Sequence, residues 1–119
     1  MDKCFISKVH VPCVTRFTSK FRFALMNLGK SPDMHLYNID EQSMGYSRIS
    51  EDYRFVMSVV DFYNKLENSI KKRIFLTEFV ERGRHYPFWH YEMLDTSVYR
   101  QMVEEVYQEF AKTFVEESQ

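Results

Sequence analysis

Residues 95–114, DTSVYRQMVEEVYQEFAKTF, form the clearest amphipathic segment of the chain. Apolar side chains recur in it every three or four residues, at Tyr99, Met102, Val103, Val106, Phe110 and Phe114. Polar side chains fill the positions between them: Arg100, Gln101, Glu104, Glu105, Gln108 and Lys112. This period is typical of a helix with one buried face. The segment therefore predicts a long final helix, capped at its N-terminus by Asp95 or Thr96.

A second helix is predicted to begin at Ser50, which is a good N-terminal cap. Glu51 and Asp52 follow it and place negative charge in the first turn, where the helix dipole favours carboxylates. Apolar side chains cover most sides of this helix, so we expect it to lie at the centre of the fold.

The next helix is predicted to begin after Asn68 and Ser69, which end the preceding helix and cap the new one. We expect its polar face to be formed by Lys71, Lys72, Glu78 and Glu81. Gly83 then supplies a left-handed C-terminal position. Pro87 suits the first turn of a short helix over residues 87–93.

A short helix, a turn and a longer helix, in this order, are typical of a helix-turn-helix. The second helix of that pair presents its N-terminal residues to base edges, and those residues here are Thr96, Ser97, Arg100 and Gln101. Arginine pairs with guanine and glutamine with adenine, and hydroxyls at a helix N-terminus hold phosphate. The same arrangement also occurs in small helical proteins that do not bind DNA.

Residues 66–115 resemble the C-terminal part of small phage-type proteins of Firmicutes and mollicutes. The resemblance is carried by FWHYEMLDTSVYR, residues 88–100, followed by Phe110 and Ala111. In that group an aromatic pair precedes a Ser-x-Ser-x-Tyr-Tyr-Arg-like run. Ser97, Tyr99 and Arg100 match this run, and Asp95 stands where the first serine would be. The group includes ArpU-type late transcription regulators, which resemble sigma factor region 4, so the resemblance implies a regulator that binds double-stranded DNA.

Phosphate contacts are expected from basic residues that precede the final helix: Lys71, Lys72, Arg73, Arg82 and Arg84. For residues 71–73 the alternative is an ordinary solvated helix face. The final helix also carries Glu104, Glu105 and Glu109, and the phosphates of a duplex repel carboxylates. We therefore expect only its first turn to approach DNA.

Residues 1–49 are predicted to form a less regular N-terminal arm with one short strand or hairpin. Five apolar residues near its start have strand-like character: Phe5, Ile6, Val9, Val11 and Val14. Pro12 is expected to interrupt any long element there. Residues 19–28 fit a short helix or a strand, of which we favour the helix, and residues 29–32, GKSP, are expected to end it as a turn.

The composition indicates one globular domain over residues 1–119, with an arm (1–49) and a helical core (50–119). Two cysteines are too few for a secreted disulfide framework, which predicts a cytoplasmic protein. No apolar run approaches the length of a membrane-spanning helix. The formal net charge is −1, although residues 1–50 carry seven Lys and Arg against four acidic residues. This local excess is the only basic bias in the composition.

Cofactor and metal sites find little support in the sequence. Cys4, His10 and Cys13 lie close together, and a fourth ligand could come from His35, His85 or His90, but their spacing fits no zinc signature. We expect reduced, structural cysteines, no metal and no cofactor. Residues 85–91, HYPFWHY, could stack bases, although such clusters more often belong to a core. The chain contains none of the common catalytic motifs, so we expect no enzyme activity.

A protein-binding module is the alternative function. The chain is rich in Tyr, Phe, Met and Arg, which interface cores favour, and its final helix is acidic. Such a module would inhibit or adapt a host or phage protein, for example RNA polymerase or a defence nuclease. A homodimer through Tyr99, Val103, Val106 and Phe110 is a third alternative, provided that this stripe is not used inside the monomer.

The predicted fold class is mainly α: a small helical bundle with a helix-turn-helix-like C-terminal half. Its core is predicted to contain Val56, Val60, Ile74, Phe79, Trp89, Val106 and Phe110.

Overall fold

A computed structural model describes the chain over residues 5–39, 50–82, 89 and 94–115, except for the side chain of Tyr37. The helices within these ranges are α1 (Val11–Asn27), α2 (Glu51–Lys65), α3 (Ser69–Ile74) and α4 (Thr96–Phe114). A π-helical turn, Phe75–Val80, continues α3, and a 3₁₀ turn, Leu36–Asn38, lies between α1 and α2. The predicted mainly α bundle is confirmed.

Helix α1 corrects the prediction of an irregular N-terminal arm with a strand, although it includes most of residues 19–28, for which we favour a helix. It runs from Val11 to Asn27, and no residue of the described ranges forms a strand. Pro12 lies in its first turn, where a missing N–H costs nothing because those groups have no partner within the helix. The proline therefore begins the helix instead of interrupting it.

The end of α1 follows the predicted turn. Gly29 has φ +77°, a left-handed conformation that glycine adopts without strain. The Gly29 N–H donates to the Met26 carbonyl and the Lys30 N–H donates to the Leu25 carbonyl, each at 2.9 Å. These two bonds form a Schellman motif, which satisfies carbonyl groups at the helix end.

The predicted caps of α2 and α3 are also present. The Ser50 hydroxyl accepts from the Tyr53 N–H at 3.0 Å, and the Asn68 side chain accepts from the Lys71 N–H at 2.9 Å. Asp95 stands at the N-terminal cap of α4, as the sequence predicts. Its side chain makes no capping hydrogen bond, so short-range polar chemistry fixes the start of α2 and α3 only.

The π-helical turn was not expected, and it changes which side chains are buried. The Glu81 N–H donates to the Leu76 carbonyl five residues earlier, at 2.7 Å. This wider spacing turns Glu78 and Glu81 inward, where they are 8% and 2% exposed. The prediction that they lie on a solvent-facing surface is therefore wrong, because it assumed regular α-helical spacing.

The core is built around phenylalanine side chains from α1, α2, α4 and the π-helical turn. Phe110 of α4 packs against Phe17 of α1 with ring centroids 4.9 Å apart, and against Phe79 at 5.2 Å. Phe62 of α2 meets Phe75 at 4.8 Å. Six of the seven predicted core residues are buried, and Trp89 is half-buried against the same cluster.

The apolar stripe of α4 is used inside the monomer. Tyr99, Val103, Val106 and Phe110 are all at most 1% exposed. A homodimer through this stripe, the third alternative from the sequence, is therefore excluded. No helix within the described ranges is both long enough and apolar enough to cross a membrane.

Candidate functional site

The first turn of α4 places polar side chains at the surface. Ser97, Arg100 and Gln101 are exposed and Thr96 is half-buried, while Tyr99 between them is completely buried. These four polar residues are the ones that the sequence selects as the reading surface of a helix-turn-helix. The partner helix predicted over residues 87–93 lies outside the described residues, apart from Trp89.

Tyr99 anchors this turn to the rest of the fold. Its ring meets Phe5 edge-on at 5.0 Å and Trp89 edge-on at 5.6 Å. Its hydroxyl donates to Glu78 Oε2 at 2.7 Å, so the π-helical turn is hydrogen-bonded to the start of α4. The contacts of Tyr99 therefore fix the backbone position of the exposed side chains on either side of it.

Two arginines flank this aromatic group at the surface. The guanidinium of Arg73 lies 4.2 Å from the Trp89 ring centroid, and that of Arg100 lies 5.2 Å from the Phe5 ring centroid. Both side chains are exposed. Stacking on a ring fixes the plane of a guanidinium while its edge remains able to donate to phosphate or to a base.

Glu78 is the buried carboxylate beneath this surface. Burial raises the pKa of Glu78, although the hydrogen bond from Tyr99, the nearby Arg82 charge and the Phe5 N–H oppose the increase. Burial and the Glu78 charge both raise the pKa of Tyr99, so its hydroxyl keeps its proton and remains a donor.

We expect Glu78→Gln to gain stability relative to the wild-type protein as pH rises. Because the folded-state pKa of Glu78 is raised, its favourable contribution is present below the ordinary glutamate pKa and is lost as pH rises through the folded value. Glutamine does not titrate. Urea unfolding of both proteins at about pH 4 and about pH 7 measures the effect. A stability difference that is the same at both pH values would contradict it.

Lys71 corrects the predicted set of phosphate-binding residues. It is only 8% exposed, and its ammonium lies 3.1 Å from Glu67, 3.3 Å from Glu105 and 4.0 Å from Glu109. The hydrogen bond that Lys71 donates to Glu67 is the main reason why the pKa of Lys71 is raised, against the opposing effect of burial. Lys71 is therefore engaged with carboxylates, because α4 packs on α3 and brings two of them to it.

The other predicted phosphate-binding residues are spread around the fold. Lys72 is half-buried with its ammonium 5.8 Å from the Tyr63 ring centroid, and Arg82 donates to the Thr15 hydroxyl of α1 at 2.8 Å. Arg84 lies outside the described residues. Of the predicted set, Arg73 lies over the ring of Trp89, which packs against Tyr99 in the first turn of α4.

Beyond its first turn, the surface of α4 is acidic. Glu104 Oε1 lies 3.4 Å from His10 Nε2, and Glu105 and Glu109 face Lys71. The remaining described histidine, His35, lies 3.1 Å from the buried Glu81. Any approach to DNA is thus confined to the turn that carries Ser97, Arg100 and Gln101.

The candidate metal ligands do not converge in the described part of the chain. His10 stacks on Tyr107 with ring centroids 3.7 Å apart, and Cys13 hydrogen-bonds the same tyrosine, whose pKa burial raises. Cys4, His85 and His90 lie outside the described residues. Within the described ranges, no three His, Cys, Asp or Glu side chains are grouped closely enough to hold a metal ion.

Comparison with known proteins finds no relative of this chain. No protein-family model, curated protein or solved structure matches the chain. The residues that sequence reasoning missed are Phe5 and Glu78. Nothing in the local sequence marks them, because each acts through a contact with Tyr99 that only the folded chain creates.

Proposed function

We propose that this protein is a DNA-binding transcription regulator that presents the first turn of α4 to the major groove. One observation carries the proposal: Ser97, Arg100 and Gln101 are exposed together on a turn fixed from beneath by the buried Tyr99. The resemblance of residues 88–100 to ArpU-type regulators supports the same role. Such a regulator would act in the cytoplasm on phage-type DNA, without a cofactor and without catalysis.

The chemistry of the turn suits base reading. Arg100 can donate two hydrogen bonds to guanine, and Gln101 can pair with adenine. Ser97, together with the N–H groups of the first turn, can hold a phosphate. Thr96 stands beside it and can contribute a second hydroxyl.

Phosphate binding would come mainly from arginine. Arg73 is exposed and lies over the ring of Trp89, which packs against Tyr99 of the turn, so it can reach the backbone on one side of the groove. Lys72 and Arg82 remain candidates, as does Arg84, which lies outside the described residues. Lys71 is no longer a candidate, because three carboxylates surround it. A single basic turn followed by an acidic helix predicts a modest, salt-sensitive affinity.

Fluorescence anisotropy with a labelled mixed-sequence duplex, at about 50 and about 200 mM salt, tests the proposal. We expect roughly micromolar binding that weakens at the higher salt. Arg73→Gln is expected to reduce the slope of affinity against salt by about one, as for one lost phosphate contact. Lys71→Gln is the matched control, since it removes a charge from the same helix and should leave the slope unchanged. No binding at either salt by a folded sample would overturn the proposal.

A protein-binding module is the second candidate, and a groove between α2 and α4 favours it. The groove has a volume of 540 Å³, with Phe62 and Leu66 in its lining. Charged side chains of both signs also line it: Asp61, Lys65, Glu109 and Lys112. An apolar lining with charges of both signs suits a protein segment of a host or phage target better than a phosphate backbone. If the duplex assay shows no binding, this candidate takes first place.

A further inference from the structure

The outward surface of α1 exposes two large apolar side chains that the monomer does not use. Phe23 is 64% exposed and Met26 is 54% exposed, and they lie one turn apart on the same side of the helix. Pro12, Arg16 and Ser19 share that side, and all three are exposed. We call these five residues the α1 face. Paired apolar side chains at such exposure indicate an interaction surface.

Positive charge lies along the α1 face on the N-terminal side of Phe23. Arg16 lies on it, and Lys20 lies at its edge with its ammonium 4.4 Å from the Phe55 ring centroid. Arg82 reaches the other edge, where it donates to the Thr15 hydroxyl. Helix α1 itself contains no acidic residue.

Negative charge lies at the C-terminal half. Asp52 accepts from the Asn27 side-chain amide at 3.2 Å, which places its carboxylate beside the end of α1 on the edge that also carries Lys20. Glu51 precedes it and is exposed. On the opposite edge, Asp33 accepts from Arg22 at 2.8 Å. On the edge that carries Lys20, a cation thus lies on the N-terminal side of Phe23 and the Asp52 carboxylate lies on its C-terminal side.

We propose that the α1 face binds the α1 face of a second copy of this chain, with the two helices antiparallel. A two-fold axis across the helices keeps each edge opposite the same edge of the partner and exchanges its N-terminal and C-terminal halves. Lys20 of each copy then lies opposite Asp52 of the other. Phe23 of one copy packs against Met26 of the other at the centre of the contact.

A second copy fits this surface better than nucleic acid does. A duplex would be repelled by Asp33 and Asp52 and would gain nothing from Phe23 and Met26. Aromatic, methionine and arginine side chains are those that protein interfaces favour. The interface is isologous, so association stops at two copies. This interface is distinct from the apolar stripe of α4, which is buried within the monomer. Dimerisation through the α1 face does not depend on DNA binding.

Sedimentation velocity over a range of protein concentrations tests the inference. We expect a monomer–dimer equilibrium in the wild-type protein, weakened at least tenfold by Phe23→Ser. Val98→Ser is the matched control, because Val98 is 42% exposed on α4 and should leave the equilibrium unchanged. A wild-type protein that stays monomeric at every concentration would overturn the inference, as would a dimer that Phe23→Ser does not affect.

A charge-exchange experiment tests the antiparallel geometry itself. Lys20→Glu alone and Asp52→Lys alone each place like charges opposite each other twice in a homodimer, so each should dimerise at least tenfold more weakly. Mixing the two variants restores opposite charges at both contacts, and a heterodimer should form with near wild-type affinity. Circular dichroism shows whether each variant is folded. A mixture no more associated than either variant alone would overturn the two-fold arrangement.

Discussion

Phe110→Ala is expected to lower the free energy of unfolding by about 3–5 kcal/mol, the usual range for removing a fully buried phenylalanine ring. Phe110 is 1% exposed. Its ring contacts Phe17 of α1, Phe79 of the π-helical turn and Phe114 one turn later in α4. The substitution would leave a cavity where three helical segments meet. Urea unfolding followed by circular dichroism measures the change.

Phe23→Ala is the matched control for this measurement, because it removes the same ring from a surface position. Phe23 is 64% exposed, so its loss should cost less than about 0.5 kcal/mol in the monomer. Both variants are compared at a low protein concentration, at which the proposed dimer is dissociated. Similar losses for Phe110→Ala and Phe23→Ala would contradict the packing described for α4.

Arg100→Glu is expected to weaken duplex binding at least about tenfold, as for the loss of one good base contact together with a reversed charge. Arg100 is exposed with its guanidinium over Phe5, and it forms no ion pair with another residue of the described ranges. The loss would therefore come from the interface and leave the unfolding curve nearly unchanged. Fluorescence anisotropy measures the affinity, and urea unfolding measures the stability.

Lys112→Glu is the control for Arg100→Glu. It makes the same change of charge on an exposed position of the same helix, but three turns further from the reading surface. If binding were a general attraction between duplex and protein charge, both variants would weaken it equally. An equal loss would contradict the assignment of the first turn of α4.

Helices α2, α3 and α4 could be predicted because their signals are local. Caps such as Ser50 and Asn68 act on N–H groups three residues away, and the apolar period of α4 repeats within each turn. The predicted core residues follow from the same period. Burial of Val56, Ile74 and Phe110 needs no knowledge of their partners.

From the sequence we favour a helix over residues 19–28 but not over the N-terminal part of α1, because two local signals are given the wrong weight. Val9, Val11 and Val14 suggest a strand, yet Val14, Phe17, Phe21 and Leu25 also repeat every three or four residues and are all buried. Pro12 is expected to interrupt any long element, although a proline in the first turn is favourable for a helix. The helical period extends over more residues than the strand-like run, and it decides the structure.

The buried charges could not be predicted, because each depends on contacts across the fold. Glu78 is buried against Tyr99, 21 residues later in the chain, and Lys71 meets Glu105 and Glu109 only because α4 packs on α3. A helical wheel places Glu78 and Lys71 on solvent-facing surfaces, although both are buried. The residues of the candidate site that depend on local patterning, Ser97, Arg100 and Gln101, are exposed where the sequence expects them.

Selection of binding sequences from a pool of random duplexes tests most directly whether the first turn of α4 reads bases. The wild-type protein is expected to enrich a short motif with a guanine or adenine at fixed positions, and Arg100→Ala should lose the preference at one of them. A pool that stays random although the protein binds it would contradict base reading and leave only phosphate contacts. Recovery of no duplex at all would contradict the DNA-binding function itself.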